Sequence, residues 1–346
     1  MAIAMSVSSD RKIEPLITIA IPTFNRASWL VDCIQSCLAQ SYRSLEIIVS
    51  DNASTDQTQE TLKQFDDRRL RVVTQKSNVG SIPNFNACLS EARGDYIVFV
   101  PDDERIEPWM LERFVDIVSN DSEIPIVVSL SGTFLPDENR MWRPPLSRKL
   151  KTGICDGLSI LQEYLRGKIT INLSSMMFRT EALRGVGGFP IAFPHAADVA
   201  AWSTLLLSGK TGFVNDYGGF TIYHKATQTS YLGVDARVKD VRKVADLIIE
   251  LAERSIADPQ KRHAIEMDAD CFFALRLFQN LAWSRDDNTK LIDMLPTIWQ
   301  WWRQWSRIGL SRILRLGRPL AVLFLPKSLS DGLVRILAPV YRSMLN

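Results

Sequence analysis

Tyr96-Ile97-Val98-Phe99-Val100 is an unbroken apolar run that halts at Pro101 and is followed at once by Asp102-Asp103-Glu104. Aromatic and β-branched residues in such a run predict a buried strand. A buried strand that delivers three adjacent carboxyls constrains the fold strongly, because like charges repel unless a cation or a donor-rich ligand sits among them. In an open α/β sheet, ligands bind outside the carboxyl ends of the strands. The stretch therefore marks a candidate site for a divalent cation and an anionic substrate. The alternative is a solvated acidic turn ahead of the helix predicted from about Pro108, with Glu104 capping that helix.

The neighbouring sequence repeats the pattern. Leu16-Ile17-Thr18-Ile19-Ala20-Ile21 predicts a first buried strand, ending in Pro22-Thr23-Phe24-Asn25-Arg26, and a helix comes next over about 27–40. Leu45-Glu46-Ile47-Ile48-Val49-Ser50 predicts a second strand, running into Asp51-Asn52-Ala53-Ser54. There Ser54 and Gln57 have capping-box spacing for the next helix. A short strand over 70–73, the turn Asn78-Val79-Gly80 and a helix over about 82–92 lead to the acidic strand, and a helix over about 108–119 comes after it. Alternation of this kind predicts βαβ crossovers and a mainly parallel, Rossmann-like sheet flanked by helices. A dinucleotide-binding fold would carry GxGxxG after the first strand. The Pro22–Ala27 turn contains no glycine, which argues against a dehydrogenase. Farther on, the sequence predicts strands over 124–130, 174–178, 213–214 and 220–223, and a helix through Asp198 and Trp202 to Gly209. Almost wholly helical chain is predicted over 234–305.

Charge is balanced overall at +2, so nothing global points to nucleic acid. Its distribution is uneven. Residues 297–346 hold eight Lys/Arg against the single acid Asp331, leaving −5 for the remainder. Ile298, Trp301, Trp302, Trp305 and Ile308 recur at helical spacing opposite Arg303 and Arg307. Interfacial Trp beside basic residues suits an anionic membrane surface. A helix packed on the catalytic domain, or a contact between copies in a homo-oligomer, is the alternative. The segment Pro319 to Pro326 is too short to span a bilayer. No signal peptide is evident, and five cysteines without a CxxC pair suggest a reducing compartment and no structural zinc. The expected location is cytoplasmic, peripheral on the inner face of the plasma membrane.

Four motifs in register carry a resemblance over about residues 16–225. Ile19-Ala20-Ile21-Pro22-Thr23-Phe24-Asn25-Arg26, Ser50-Asp51-Asn52-Ala53-Ser54-Thr55-Asp56, Asn78-Val79-Gly80, and Ala92-Arg93-Gly94-Asp95 running to Asp102-Asp103-Glu104 resemble the family 2 glycosyltransferases of the GT-A fold. Within that family the opening is similar to bacterial O-antigen and capsule sugar transferases, including the abequosyltransferase-like group. The resemblance implies an inverting enzyme that moves a sugar from a nucleotide-diphosphate sugar to a saccharide or lipid-linked saccharide acceptor, with Mg²⁺ or Mn²⁺ as cofactor. Donor-binding roles fall to Pro22, Thr23, Arg26, Asp51, Asn52, Asn78, Asp102 and Asp103. Asp103 matches the metal carboxylate of the family's Asp-x-Asp motif, whose first acid is replaced here by Pro101, leaving Asp102 between metal and donor-sugar hydroxyls. His224 matches a histidine that reaches the metal or diphosphate. Asp198 matches the catalytic base, with Ala197 where the family usually has Glu.

The expected organisation is a polar N-terminus over 1–15 and a catalytic domain over 16–232, divided into a nucleotide half (16–119) and an acceptor half (120–232). A helical extension comes next over 233–295, then the basic segment 296–346. Two rival functions remain at this level. A sugar-phosphate nucleotidylyltransferase would need a glycine-rich basic loop that the Pro22–Ala27 turn lacks. A non-catalytic nucleotide-sugar-binding module would have no use for both Asp103 and Asp198.

Overall fold

The computed structural model describes residues 14–136, 139–222 and 233–283. His224 and the basic segment 296–346 lie outside them. The chain opens with β1 (Ile17–Thr23), α1 (Ala27–Leu38), β2 (Leu45–Asp51), α2 (Thr58–Leu62), β3 (Leu70–Thr74), α3 (Ser81–Glu91) and β4 (Tyr96–Phe99). Then come β5 (Glu104–Ile106), α4 (Met110–Val118), β6 (Ile126–Leu135), β7 (Arg140–Trp142), β8 (Gly153–Asp156) and α5 (Gly157–Leu165). A 3-10 turn (Leu173–Ser175), β9 (Met176–Arg179), α6 (Thr180–Gly185), α7 (Ala197–Leu206), β10 (Lys210–Ile222), α8 (Val234–Ser255) and α9 (Pro259–Trp283) complete it.

Strand order across the sheet is β3-β2-β1-β4-β9-β6-β10-β5, with β7 paired to β6 and β8 to β10. The first four strands are parallel, as the crossover pattern predicts. Beyond β4 the sheet is mixed: β9 runs antiparallel to both β4 and β6, while β10 is parallel to β6. Every residue of β1 is buried, as expected of a strand covered on both faces. One side of the sheet holds α1 and α4 over Ile19, Val49 and Val98. The other side holds α3, α5, α7, α8 and α9 over Phe99, Val128 and Phe178.

Several local expectations change. The predicted strands at 213–214 and 220–223 are one strand, β10, whose register shifts between Val214 and Tyr217 and again between Tyr217 and Gly219. Those irregularities absorb the polar stretch Asn215-Asp216, whose Asn215 amide instead bonds both backbone groups of Ser147 at 2.9 Å. Glu104 does not cap the following helix, which starts at Met110; it opens β5, where it pairs with Thr221 of β10. Ser54 and Gln57 form no capping box, because α2 starts at Thr58 with no side-chain bond from its N-cap residue Gln57. Asp56 serves both nearby helix starts, accepting from Thr58 N at 3.0 Å and from Ala27 N at 3.2 Å.

The helices after β10 do not stand apart from the sheet. Val238, Val241, Val244 and Ile248 of α8, with Phe272, Phe273 and Leu277 of α9, join the same buried cluster as Leu161, Trp202 and Phe213. Pro259 opens α9, since proline is tolerated in the first turn of a helix and not inside one.

Candidate active site

Parallel pairing of β2, β1 and β4 brings three loops to one edge of the sheet. Thr23 lies opposite Asp51 in the register, and Val100 N donates to Ala20 O at 2.9 Å just before the acidic triplet. Two of these loops bend through left-handed backbone at non-glycine residues, Asn25 (φ 53°) and Ala53 (φ 60°). Such conformations cost roughly 1 kcal/mol or more and concentrate where a loop must hold a particular shape. Asn25 is held there by its side-chain oxygen Oδ1, which accepts from Thr55 N at 2.7 Å.

The residues expected on the nucleotide side come together at this edge. Asp51 is fully buried, its carboxylate accepting from Ser54 N at 3.0 Å and from the Gln59 amide. Asn52 bonds the loop after β3: its amide donates to Asn78 Oδ1 at 2.9 Å and to Gly80 O at 3.2 Å, and its carbonyl accepts from Val79 N at 2.9 Å. The side chains of Asn52 and Asn78 thus clasp one loop to another. Phe24, on the loop after β1, and Val79, on the loop after β3, stay exposed at 38% and 45%. Thr23 Oγ1 is buried without a hydrogen bond of normal geometry.

The acidic triplet sits beside this pocket. Arg26 reaches Asp103 at 3.7 Å, with both side chains largely buried. Burial and the charge of Asp103 push the Asp102 carboxyl up to about 7, against the lowering effect of Thr23, Arg26 and the Phe24 amide. Glu104 is pushed up to about 8 by burial and by Asp103, with Asp198 and Asp102 adding to the effect and Ser174 opposing it. One oxygen of Glu104, Oε2, is buried without a hydrogen-bond partner. Among the described residues no three His, Cys, Asp or Glu side chains are grouped closely enough to hold an ion by themselves.

Asp198 enters from the acceptor half, at the second position of α7. Burial raises its carboxyl above the usual range, and Asp240 adds to this, while local amides and Arg276 work the other way. One helical turn on, the buried Trp202 stands edge-on to Tyr164 with ring centroids 4.7 Å apart. The Tyr164 hydroxyl accepts from Arg276 at 3.1 Å. His195 is half-buried and held down to about 4 by burial and the charges of Arg237 and Arg276, so it is neutral at pH 7. On the sheet side, Asn86 bonds both backbone groups of Phe189, at 2.8 and 2.9 Å, and Phe189 packs edge-on against Phe99 at 4.9 Å. This ties the segment ahead of α7 to the acidic strand.

Ser174 and Asp240 belong to this neighbourhood although no motif marks them for it. For Asp240 a signal exists: with Arg237 it lies at i, i+3 among the buried Val238, Val241 and Val244. Charges on the apolar face of a helix are rarely buried without a partner.

Residues 18–183 match the model described as Glycosyl transferase family 2. Glycosyltransferase GlyG of Streptococcus pneumoniae serotype 4 is 32% identical over 117 residues, 33% of this chain and 39% of GlyG. The putative teichuronic acid biosynthesis glycosyltransferase TuaG of Bacillus subtilis is 31% identical over 107 residues, 30% of this chain and 42% of TuaG. The aligned region thus spans well under half of either relative. S. aureus TarS 1–349 in complex with UDP shares the fold, with a TM-score of 0.59 and 18% identity over 95% of this chain and 91% of that one. Residues 18–183, just under half of the chain, thus match the glycosyl transferase family 2 model, and strand order together with the likeness to TarS gives the chain a GT-A fold.

Proposed function

We propose that this protein transfers a glycosyl unit from a nucleotide-diphosphate sugar to an acceptor hydroxyl, with inversion, and that the acceptor is a saccharide or lipid-linked saccharide of a surface polysaccharide. One observation carries the reading: Asp198, from the acceptor half, is close enough for its charge to act on Glu104 of the acidic triplet. A base at Asp198 and a donor-phosphate site at the triplet would then flank a common space. Asp51, Thr23 and Arg26 line the nucleotide side, with the Asn52–Asn78 clasp shaping the loop that closes it. The Asp51 oxygen that now accepts from Gln59 would take a base N–H once that amide moves aside.

Asp198 accepts the proton of the acceptor hydroxyl as the acceptor oxygen forms its bond to the anomeric carbon. The bond from that carbon to the diphosphate oxygen breaks on the opposite face, and its electron pair leaves with the nucleoside diphosphate. Burial raises the basicity of Asp198 toward the working pH, which suits a general base. No second nucleophilic carboxylate is needed.

The acidic triplet suits a hard divalent cation. Asp102 and Glu104 are forced toward neutrality by burial and by the charge of Asp103, and Glu104 Oε2 lacks a partner. Asp103, with Asp102 beside it, would hold Mg²⁺ or Mn²⁺, an arrangement in which one or two carboxylates suffice because substrate phosphates and water supply the remaining oxygens. When bound, the ion neutralises charge developing on the departing diphosphate.

The test is nucleoside diphosphate release from a panel of UDP-, GDP- and dTDP-sugars with Mn²⁺, Mg²⁺ or EDTA. Release should need the metal and fall by about 100-fold or more in Asp103→Ala and Asp198→Asn. Metal-independent release that survives Asp103→Ala would overturn the reading.

A further inference from the structure

Helix α7 begins without a capping side chain of its own, since its N-cap residue is Ala196. The amides at this entry are satisfied from elsewhere. Asp240 on α8 accepts from His195 N at 2.7 Å and from Ala196 N at 2.9 Å, both through Oδ2. Asp240 is only 2% exposed, and its other oxygen, Oδ1, is buried without a hydrogen-bond partner. A buried carboxyl with half its acceptors idle is costly. Ordinary helix capping would be met more cheaply by Ser, Thr or Asn at position 196. What Asp240 holds is the two residues ahead of Ala197 and Asp198.

We propose that Asp240 is a positioning residue for glycosyl transfer: by fixing the His195–Ala196 backbone from α8, it sets where the Asp198 carboxyl stands relative to the acidic triplet. This rests on the reading of Asp198 as the base. Three further observations agree with it. The segment is fixed at its other end by the Asn86–Phe189 pair, so Asp240 completes a two-point mooring. Trp202, one turn beyond Asp198, is locked in the core against Tyr164, which fixes α7 beyond its first turn. Asp240 and Asp198 are also near enough for the charge of one to act on the other. The groups around Asp198 then come from four elements: Glu104 of β5, Tyr164 of α5, Asp240 of α8 and Arg276 of α9. Helices α8 and α9 thereby contribute to the reaction and do not only cover the sheet.

The experiment compares Asp240→Asn, Asp240→Glu and Asp240→Ala in the full chain, with folding checked by circular dichroism. Asn keeps an oxygen where Oδ2 stood, Glu displaces it by a methylene, and Ala removes it. The probe is the nucleotide sugar that most stabilises the protein among UDP-, GDP- and dTDP-sugars, used first for diphosphate release and then for direct donor binding. Expected are kcat losses of about 100-fold in Ala and Glu, the scale on which misplacing a catalytic group by about 1 Å acts. Donor affinity should stay within about 2-fold, and Asn should retain kcat within about 5-fold. Hydrogen exchange of residues 195–198 should quicken in Ala and Glu and not in Asn, a readout independent of substrate. If Ala fails to fold, the Glu and Asn pair carries the same comparison. The inference is overturned if Asn falls with Ala and Glu, if donor affinity falls in step with kcat, or if exchange at 195–198 is unchanged. Asp198→Asn runs alongside: full activity in that variant would sink the base assignment itself, whatever the Asp240 variants do to exchange.

Discussion

At the scale of single residues, the site is an arrangement of buried ionisable groups whose neighbours set their protonation. Asp102 and Glu104 are driven up by burial and by Asp103, whereas His195 is driven down by burial beside Arg237 and Arg276. The last has a measurable consequence for stability. A histidine held near 4 when folded, against an ordinary value near 6.5, takes up a proton more readily in the unfolded chain. Its contribution is therefore fully present above about pH 6.5 and is lost as pH falls toward about 4. Thermal melts at pH 7 and pH 5 should show the wild type losing more on acidification than His195→Gln does. Equal losses would mean that the imidazole titrates normally. Comparison with the variant cancels the raised carboxyls, which act with the opposite sign. Thr23, Asp51 and Asp103, proposed to face the donor, were legible in the sequence as candidate site residues because each lies at or just past the end of a strong apolar run. Asp240 was legible only as a charge among apolar residues, because what it bonds is a backbone 44 residues away.

Among the elements, β5 and β10 show how a three-residue strand can matter. Nothing in Glu104-Arg105-Ile106 predicts a strand, since three residues cannot display alternation. It forms because the second half of β10 passes alongside and pairs with it. That passage requires close approach. A Cβ on Gly219 would lie 2.8 Å from the backbone of Ser174, a residue near enough to Glu104 to lower its pKa. Gly219→Ala should destabilise the protein by about 1–3 kcal/mol in urea titrations, the usual range for overpacking. Gly185→Ala, where a Cβ meets nothing within 4 Å, is the control and should stay within about 0.5 kcal/mol. A neutral Gly219→Ala would show that the 3-10 turn yields readily and does not fix Glu104. Strand β8 and helix α5 were hidden for a similar reason: residues 132–173 carry no clear period, and β8 pairs only with the first part of β10.

Across the whole molecule, the nucleotide half, the acceptor half and the helices α8 and α9 share one sheet and continuous packing. No helix among the described residues is long and apolar enough to cross a membrane. The proposal that the basic, Trp-rich segment 296–346 binds an anionic membrane surface stands on its sequence pattern. Flotation with vesicles rich in phosphatidylglycerol should carry the full chain upward and leave a chain ending at Met294 behind. Weakening by about 0.5 M salt would mark the electrostatic part. If both float, or neither does, the segment has another role, and sedimentation of the full chain would then test the contact between copies.

Local sequence determined a good deal. Apolar runs over 16–21, 45–50 and 96–100, each ending in polar residues, specify parallel strands that present their chemistry at one sheet edge, because side-chain burial and strand direction are encoded within a few residues. Asp51, Asp103 and Asp198 could be singled out on that basis and by their motif order. Tertiary structure alone decided how the acceptor half meets that edge: the pairing of β5 with β10, the seating of Gly219 on Ser174, and the anchoring of α7 by Asp240. Each of these joins groups far apart in the chain through backbone hydrogen bonds and close contacts. Such interactions leave no periodic trace in either partner, since a backbone amide or carbonyl is the same whatever side chain it carries.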